Sequence, residues 1–296
     1  METVPAKHLL HRNRSTEWFG TDHTMNLYRG CCHGCLYCDS RSGCYRIEGF
    51  DTVRVKADAL RIFRDDLARK ARPAFISMGS MSDPYNPFEK DLELTRHALE
   101  LMDAYSCGAA IATKSPLITR DMDILASIQA HSPVICKLTV TTADDGLAAR
   151  LEPHAPPPSR RLAALGELSG AGLFAGVLLM PVLPFLEDSE EGVLAVVEGA
   201  ARAGARFVYP AFGVTMRQGQ REYFLDGLER AFPGQGLRER YLRRFGDRYW
   251  CASPKAGKLW QAFTAACQTS GILYDMKSII RAASLGYGDR QLTFFD

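Results

Sequence analysis

Four cysteines fall within eight residues near the start of the chain, in the run Cys31-Cys32-His33-Gly34-Cys35-Leu36-Tyr37-Cys38. Thiolates held this closely repel one another and oxidise readily, so the run indicates a metal or cluster site. Cys31, Cys35 and Cys38 have the spacing C-x3-C-x2-C, with an aromatic residue directly before the last cysteine. Three ligands rather than four suit an iron–sulfur cluster that keeps one iron open for a small molecule.

Two other assignments of these cysteines remain open. A structural zinc site needs a fourth ligand, which His33 or Cys44 could supply, and usually a second C-x2-C pair, which does not follow downstream. A cluster ligated entirely by protein could use the set Cys32, Cys35, Cys38 and Cys44. The loop follows a predicted first strand, and parallel α/β folds place their sites at the carboxyl ends of strands. This context favours the open cluster.

The overall composition sets limits on the class of protein. With 296 residues, 46% hydrophobic and 24% charged, the chain can form one large α/β domain or two smaller ones. It has no apolar run of eighteen residues and no secretory h-region at its start, so we expect no membrane span. Nine cysteines without a leader predict a reducing, cytoplasmic location. The net charge of +2 gives no global basic field, so any nucleic-acid contact needs a local patch.

The elements that must position the cysteine loop form a repeating pattern of strands and helices. Strands are predicted at 25–29, 74–78, 109–113, 134–142, 174–180 and 207–210, and helices at 57–72, 93–106, 119–128, 160–169 and 190–203. This alternation predicts a parallel sheet with right-handed crossovers. Six units are two short of a closed eight-unit barrel. The predicted fold class is α/β, a partial (β/α)6 TIM-type barrel with a C-terminal helical extension.

The same pattern divides the chain into three parts. Residues 1–23 are polar and predicted to wrap the domain irregularly, 24–215 form the barrel, and 216–296 form a C-terminal helical region and tail. Helices are expected at 217–249 and 255–270 with no strand between them. The segment from Met216 to Lys258 contains ten Lys or Arg and five Asp or Glu, with aromatic residues interspersed among them. That composition suits phosphates and exposed bases, but equally a solvated arginine face on amphipathic helices.

Three segments resemble the radical S-adenosylmethionine (SAM) superfamily, and within it the spore photoproduct lyase-like branch, whose members are often described as DNA repair photolyase-like. These segments are 26–35, 79–85 and 113–115, and the wider resemblance runs from about residue 20 to about residue 215. The resemblance implies an enzyme with a 4Fe-4S cluster whose open iron binds SAM. In that family an electron from the cluster splits SAM, and the resulting 5′-deoxyadenosyl radical abstracts hydrogen from the substrate. An electron donor such as flavodoxin or ferredoxin is implied as well.

Carried onto this sequence, the resemblance implies Cys31, Cys35 and Cys38 as the cluster ligands. The aromatic residue before the last of them, Tyr37, would lie near the SAM adenine. Cys32 is then a bystander.

The resemblance also implies residues that contact SAM at the ends of later strands. Gly79 and Ser80 stand where the superfamily binds the SAM amino group, and Lys114 resembles a branch residue that meets the SAM carboxylate. Thr139 and Thr141 alternate on one strand, so both would face one side and bond the carboxylate or ribose. Plainer interpretations remain, since a loop lysine, strand-forming threonines and a flexible glycine need no cofactor.

The substrate is less determined than the cofactors. Spore photoproduct lyase itself carries a hydrogen-donating cysteine in the loop after the second strand, where this chain has Gly79 to Asp83 without one. This departure puts the familiar thymine-dimer lyase reaction in doubt, and nothing in the sequence places Cys44 there instead. Two substrate classes remain, a nucleic-acid lesion and a small metabolite or peptide. The non-enzymatic alternative is a binding module whose metal or cluster only holds the fold.

The extreme C-terminus suggests a further partner. Gln291-Leu292-Thr293-Phe294-Phe295 resembles the pentapeptide by which bacterial repair and replication proteins dock on the DNA sliding clamp. In such a tail, Leu292 and the two phenylalanines would enter an apolar groove while Gln291 forms hydrogen bonds. The alternative is a last strand on the domain's own core. DNA and the clamp are therefore the predicted macromolecular partners.

Overall fold

A computed structural model describes residues 1–287, which contain short and long strands and eleven α-helices. The strands are β1 Thr3–Val4, β2 Leu10–Arg12, β3 His23–Met25, β4 Tyr28–Arg29, β5 Arg54–Lys56, β6 Phe75–Met78, β7 Gly108–Thr113, β8 Val134–Thr139, β9 Ala175–Leu179, β10 Phe207–Pro210, β11 Gly213–Thr215 and β12 Trp250–Ala252. The helices are α1 Ala59–Ala68, α2 Glu89–Leu92, α3 Leu94–Ala104, α4 Met122–Gln129, α5 Asp145–Leu151, α6 Pro158–Gly170, α7 Glu190–Arg202, α8 Gln220–Ala231, α9 Leu237–Phe245, α10 Ala256–Thr269 and α11 Met276–Ser284. Three 3-10 turns lie at Asp39–Arg41, Gly43–Tyr45 and Pro116–Asp121.

Seven strands form one curved sheet in the order β10-β9-β8-β7-β6-β3-β2. Six of them are parallel neighbours, and only β2 joins the edge antiparallel to β3. Each step between parallel neighbours passes through at least one α-helix, as parallel pairing requires. The predicted α/β partial barrel with six βα units is confirmed.

Two apolar layers cover the faces of this sheet. On the outer face, buried side chains of the strands pack against α1, α3, α4, α6, α7 and α10. On the inner face, a second cluster gathers near the amino ends of the strands and includes Phe19, Phe75, Phe207 and Ile279. Because this cluster fills the amino end of the barrel, the carboxyl ends of the strands are where a site can form.

The N-terminal part is more regular than the sequence predicts. β2 extends the main sheet, and β1 pairs with β5 in a small sheet that also holds β4. The predicted first strand at 25–29 is in fact two strands that belong to different sheets. The prediction of an irregular extension was wrong because strands of two or three residues, with partners elsewhere in the chain, leave no local periodicity.

The C-terminal region also differs from its prediction. The expected helix at 217–249 is two helices, interrupted at 232–236, where Pro233, Gly234 and Gly236 stand. The expectation of no strand was wrong, because β12 pairs antiparallel with β11. Such a long-range pair cannot be read from local patterns. α10 packs on α7, while α11 contributes to the inner cluster. The domain boundaries at 23 and 215 stay predictions.

Two further sequence predictions concern partners outside the fold itself. None of the helices in residues 1–287 combines the length and apolar character needed to cross a bilayer. The clamp-like segment Gln291–Phe295 lies outside the described residues, so its role stays a prediction.

Candidate active site at the cysteine loop

The cysteine loop follows β4 and is fixed to the barrel by backbone contacts at both ends. The Cys31 N–H donates to the Phe50 carbonyl at 2.8 Å. Gly30 has φ +83°, and a Cβ there would lie 2.7 Å from that same carbonyl oxygen, so only glycine fits this turn. At the far end, the Leu36 N–H donates to the Leu151 carbonyl of α5 at 2.9 Å. The loop is therefore held as a defined structure rather than as an open chain segment.

Cys31, Cys35 and Cys38 are free thiols inside this loop. Burial raises the pKa of each, and raises that of Cys31 to about 12. Their sulfur atoms are close enough for Cys31 and Cys38 to raise the pKa of Cys35 further. Cys32 instead faces a surface groove of about 510 Å³ beside His154, Tyr223 and Arg230, and Cys44 is exposed.

The donor set fits a cluster with three protein ligands. Iron binds thiolates, and its positive charge offsets the cost of ionising buried thiols. Lys114 also favours the ionised thiols, since its positive charge lowers the pKa of Cys35 and Cys38 and so opposes the effect of burial. Within residues 1–287, no group of three or more His, Cys, Asp or Glu is arranged to hold a single metal ion. The assignment of Cys31, Cys35 and Cys38 as cluster ligands stays a prediction, which these charge relations support.

A buried carboxylate that sequence analysis missed lies beside the loop. Glu152, directly after α5, is 1% exposed and accepts hydrogen bonds from the Tyr37 hydroxyl and the Arg161 guanidinium. Lys114 Nζ lies 3.9 Å from Glu152 Oε1 and 5.5 Å from the centre of the Tyr37 ring. The cysteine loop, the end of β7 and α6 thus meet at one carboxylate.

The charges of this cluster support one another despite their burial. Burial alone would raise the pKa of Glu152, but Lys114 and Arg161 outweigh it and lower that pKa. Burial likewise disfavours the Lys114 ammonium, yet Cys35, when ionised, and the Glu152 carboxylate raise the pKa of Lys114 overall. At neutral pH the group therefore carries two cations and one anion, before any ligand binds. That excess of positive charge beside the thiols is suited to an incoming carboxylate.

Gly79 and Ser80 lie where β6 ends and the chain turns toward the loop. Gly79 has φ +90°, and a Cβ there would lie 2.0 Å from the Ala112 carbonyl oxygen of β7. The Ser80 hydroxyl lies 3.4 Å from that of Thr24, and its carbonyl accepts a hydrogen bond from Ser40 at 3.4 Å. Ser80 is exposed and adjoins the cysteine loop. The close approach of the two strands is enough to explain why residue 79 is a glycine, whereas the position of Ser80 suits contact with a ligand.

Asp83 ties the ends of two strands to the cysteine loop. Its carboxylate accepts from the Thr113 hydroxyl at 2.6 Å and from the Lys114 N–H at 2.8 Å. His33 is buried, with Nδ1 3.5 Å from Asp83 Oδ2. Asp83 therefore positions the backbone of Lys114. The adjacent Tyr85 is buried and donates to a carboxylate of the Pro116–Asp121 turn.

Thr139 and Thr141 stand at and beyond the end of β8. The Thr139 carbonyl accepts from Arg161 Nη1 at 2.9 Å, and Thr141 lies beside the buried carboxyl group of Glu187. Burial raises the pKa of Glu187 to about 8. Within residues 1–287 its Oε1 has no hydrogen-bond partner, while Oε2 accepts from the Leu183 N–H at 3.0 Å. Glu187 is thus a neutral acid near the threonines that sequence reasoning did not find.

A parallel barrel with three clustered thiols and a half-buried lysine at its mouth has the architecture of a barrel that can hold a metal cluster. A sequence profile described as Radical SAM superfamily matches residues 25–197, more than half of the chain. The chain belongs to this superfamily. Its cofactors are a 4Fe-4S cluster and SAM.

Relatives and solved structures agree with this membership. An uncharacterized protein of Mycobacterium tuberculosis is 33% identical over 231 residues, which cover 76% of this chain and 68% of the relative. A spore photoproduct lyase mutant with bound AdoMet and dinucleoside spore photoproduct aligns with TM-score 0.61 and 15% identity, over 90% of this chain and 79% of that chain. The radical SAM methyltransferase TsrM from Kitasatospora setae, with cobalamin and a [4Fe-4S] cluster bound, aligns with TM-score 0.53 and 12% identity. The alignment covers 88% of this chain and 60% of that chain. At these identities the solved structures show the shared fold.

Proposed function

We propose that this chain is a radical SAM enzyme in which Cys31, Cys35 and Cys38 hold the cluster and Lys114 binds the SAM carboxylate. One observation carries the proposal, namely that Lys114 lies beside the cysteine thiols and that the Glu152 carboxylate stabilises its positive charge. When bound, the cluster and SAM supply an electron and a 5′-deoxyadenosyl radical that abstracts hydrogen from the substrate.

The chain's own residues supply position and charge. Lys114 presents a largely desolvated ammonium, whose attraction for a carboxylate is stronger than it would be in water. The hydrogen bond from Tyr37 to Glu152 orients the aromatic ring that we assign to the adenine. Gly79 lets β6 end close against β7, which brings Ser80 to the edge of the same space.

The C-terminal helices limit water access to the loop. Apolar side chains of α8 and α9 form one buried cluster with Cys35, Leu36 and Tyr37. The contact is close, because a Cβ on Gly227 of α8 would lie 2.8 Å from Leu36 Cδ2. A site shielded in this way protects a reactive radical from side reactions.

For the substrate, we propose a nucleic-acid lesion. Support comes from a surface next to the cysteine loop that we call the Arg217 surface, made of Arg217, Arg248, Tyr249 and Trp250. Tyr249 and Trp250 are 51% and 45% exposed. Arg217 donates to the Tyr249 hydroxyl at 2.9 Å and lies 3.0 Å from Asp39, which directly follows Cys38. Exposed aromatic rings beside arginines suit unstacked bases and phosphates.

The structure reduces the aromatic set that the sequence offered for this role. Four of the seven aromatic residues in the basic segment are buried in the cluster that covers the loop: Phe224, Phe232, Tyr241 and Phe245. They cannot stack on bases. Of the other three, Tyr223 is only partly exposed and its ring is covered by Arg41, so the nucleic-acid proposal depends on Tyr249 and Trp250.

The experiment is anaerobic reconstitution of the whole chain, reduction with dithionite, and measurement of 5′-deoxyadenosine with and without ultraviolet-irradiated DNA. We expect SAM cleavage, stimulated by damaged DNA in the wild type and in Trp260→Ala, and stimulated much less in Trp250→Ala. Trp260 is the matched control because it is similarly exposed on α10. Failure to cleave SAM would overturn the enzyme assignment. Cleavage that no nucleic acid stimulates would instead favour a small metabolite or peptide as substrate.

Partners follow from the same proposal. Radical SAM enzymes need a reductant, and we propose a flavodoxin or ferredoxin for this chain. Docking of Gln291–Phe295 on the sliding clamp and a cytoplasmic location rest on the sequence alone. A peptide of residues 288–296 that shows no affinity for the clamp would exclude the former.

A further inference from the structure

The barrel interior holds a lysine that the cofactor site does not use. Lys137 lies on β8 and is 1% exposed. Its side chain is on the same face as Ile135, a member of the inner apolar cluster, because residues two apart in a strand share a face. Its registered neighbours are Ala112 on β7 and Gly176 on β9. A Cβ on Gly176 would lie 2.5 Å from the Phe207 ring, so the lysine side chain lies against the apolar floor that Phe207 and Phe19 form.

Among residues 1–287, no acidic side chain compensates the charge of Lys137. Its Nζ lies 4.6 Å from the centre of the Phe19 ring, a cation–π contact. Within residues 1–287 no carboxylate lies within 4.0 Å of it, whereas Glu152 accompanies Lys114 at that range. Burial lowers the pKa of Lys137 to about 7.

Packing does not explain a lysine at this position. A buried cation without a counter-charge is costly, and a methionine of similar length would fill the same space without that cost. A polar group that is buried at such a cost and faces a barrel interior is a candidate for ligand binding. A ligand with negative charge would supply the counter-charge that the described part of the chain does not provide.

We propose that Lys137 binds an oxyanion of the substrate, a phosphate or carboxylate oxygen, inside the barrel. This rests on the proposed function, because Lys137 precedes Thr139 by two residues and so lies about 7 Å deeper than the end of β8, where the cofactor residues gather. Lys137 donates hydrogen bonds to that oxyanion, which fixes how far the substrate enters the barrel. Phosphate and carboxylate share this chemistry, and the test separates them.

The test measures equilibrium binding to the reconstituted full chain, with inorganic phosphate, thymidine 5′-monophosphate, succinate and uncharged thymidine as probes. We expect at least one anion to bind the wild type and to bind Lys137→Met at least tenfold more weakly. Lys56→Met is the control, because Lys56 is partly buried on β5 outside the barrel. If only the phosphates bind, the oxyanion is a phosphate; if only succinate binds, it is a carboxylate. No anion binding, or equal affinity in wild type and Lys137→Met, would overturn the proposal.

Two further measurements separate this role from a structural one. Lys137→Met should unfold at a higher temperature than the wild type, and a lower one would show that the lysine serves packing and would overturn the proposal. In the wild type, the anion that binds should slow reductive methylation of Lys137 at least tenfold and leave that of Lys56 unchanged; equal rates at Lys137 would contradict it. SAM cleavage by wild type that binds no anion would leave the proposed function intact and remove only this inference.

Discussion

The Tyr37 hydroxyl donates a hydrogen bond to the Glu152 carboxylate, which joins two residues that are 115 positions apart. Tyr37 belongs to the cysteine loop and Glu152 to the end of α5. Glu152 also accepts a hydrogen bond from the Arg161 guanidinium, and its Oε1 lies 3.9 Å from Lys114 Nζ. This single carboxylate therefore fixes an aromatic ring, balances two cations and connects the cysteine loop to the barrel.

Replacement of Glu152 by glutamine should destabilise the protein and weaken its cofactor site. Glutamine keeps the shape but removes the charge, so Arg161 and Lys114 would be buried without their partner. Loss of one partner from a buried ion pair costs about 3 kcal/mol, to be measured by urea unfolding. Glu167→Gln, on the exposed face of α6, should change stability by less than about 0.5 kcal/mol. Equal effects of the two variants would refute the network.

Lys114→Met should reduce SAM affinity about 10- to 100-fold, because a hydrogen bond to a charged group contributes about 1.5–3 kcal/mol. Equilibrium dialysis with reconstituted protein measures this. Lys90→Met, on the short helix α2, serves as the control and should bind SAM as the wild type does. Unchanged affinity in Lys114→Met would exclude the carboxylate contact.

The glycine at the end of β6 is open to a matched comparison. Gly79→Ala places a Cβ 2.0 Å from a backbone oxygen at positive φ, whereas Gly172→Ala has a similar φ of +79° and nothing within 4 Å. The second change should cost about 1 kcal/mol, the conformational penalty alone, and the first clearly more. Thermal unfolding of both variants decides the matter. Similar melting temperatures would show that β6 and β7 can separate locally.

Cys31→Ala should abolish cluster assembly, and Cys32→Ala should preserve it. Cys31 lies among the loop thiols, close enough to raise the pKa of Cys35, whereas Cys32 faces a groove on the surface. The readout is iron content with electron paramagnetic resonance after anaerobic reconstitution, with about four irons per chain in the competent proteins. The opposite result would support the alternative ligand set that includes Cys32.

Glu187 predicts a pH dependence of stability. Its folded pKa of about 8 lies above the ordinary value of 4.5. Stability from this group is therefore fully present below about pH 4.5 and is lost as pH rises toward 8. Glu187→Gln lacks the titration, so its unfolding free energy should fall less steeply with pH, by up to about 1 kcal/mol per unit. Urea unfolding across this range measures the slopes, and the exposed Glu191→Gln should retain the wild-type slope.

The barrel was predictable because its signals are local. Parallel strands buried on both faces appear as continuous apolar runs, and the prediction for β10 matches the observed bounds at 207–210. The cysteine spacing identified the superfamily for the same reason, since C-x3-C-x2-C lies within one loop. Short strands such as β1, β2 and β12 were missed, because their partners are distant in sequence.

By itself, then, the sequence determined the fold class and the cysteine loop, because each depends on residues close together in the chain, whereas the candidate role of Lys114 came from the family resemblance. Only the tertiary structure placed Glu152 between Tyr37 and Lys114, buried four of the seven C-terminal aromatics and turned Lys137 into the barrel. Those relations depend on burial and on partners from separate elements. A charge acquires its function from what surrounds it, and those surroundings exist only once the chain has folded.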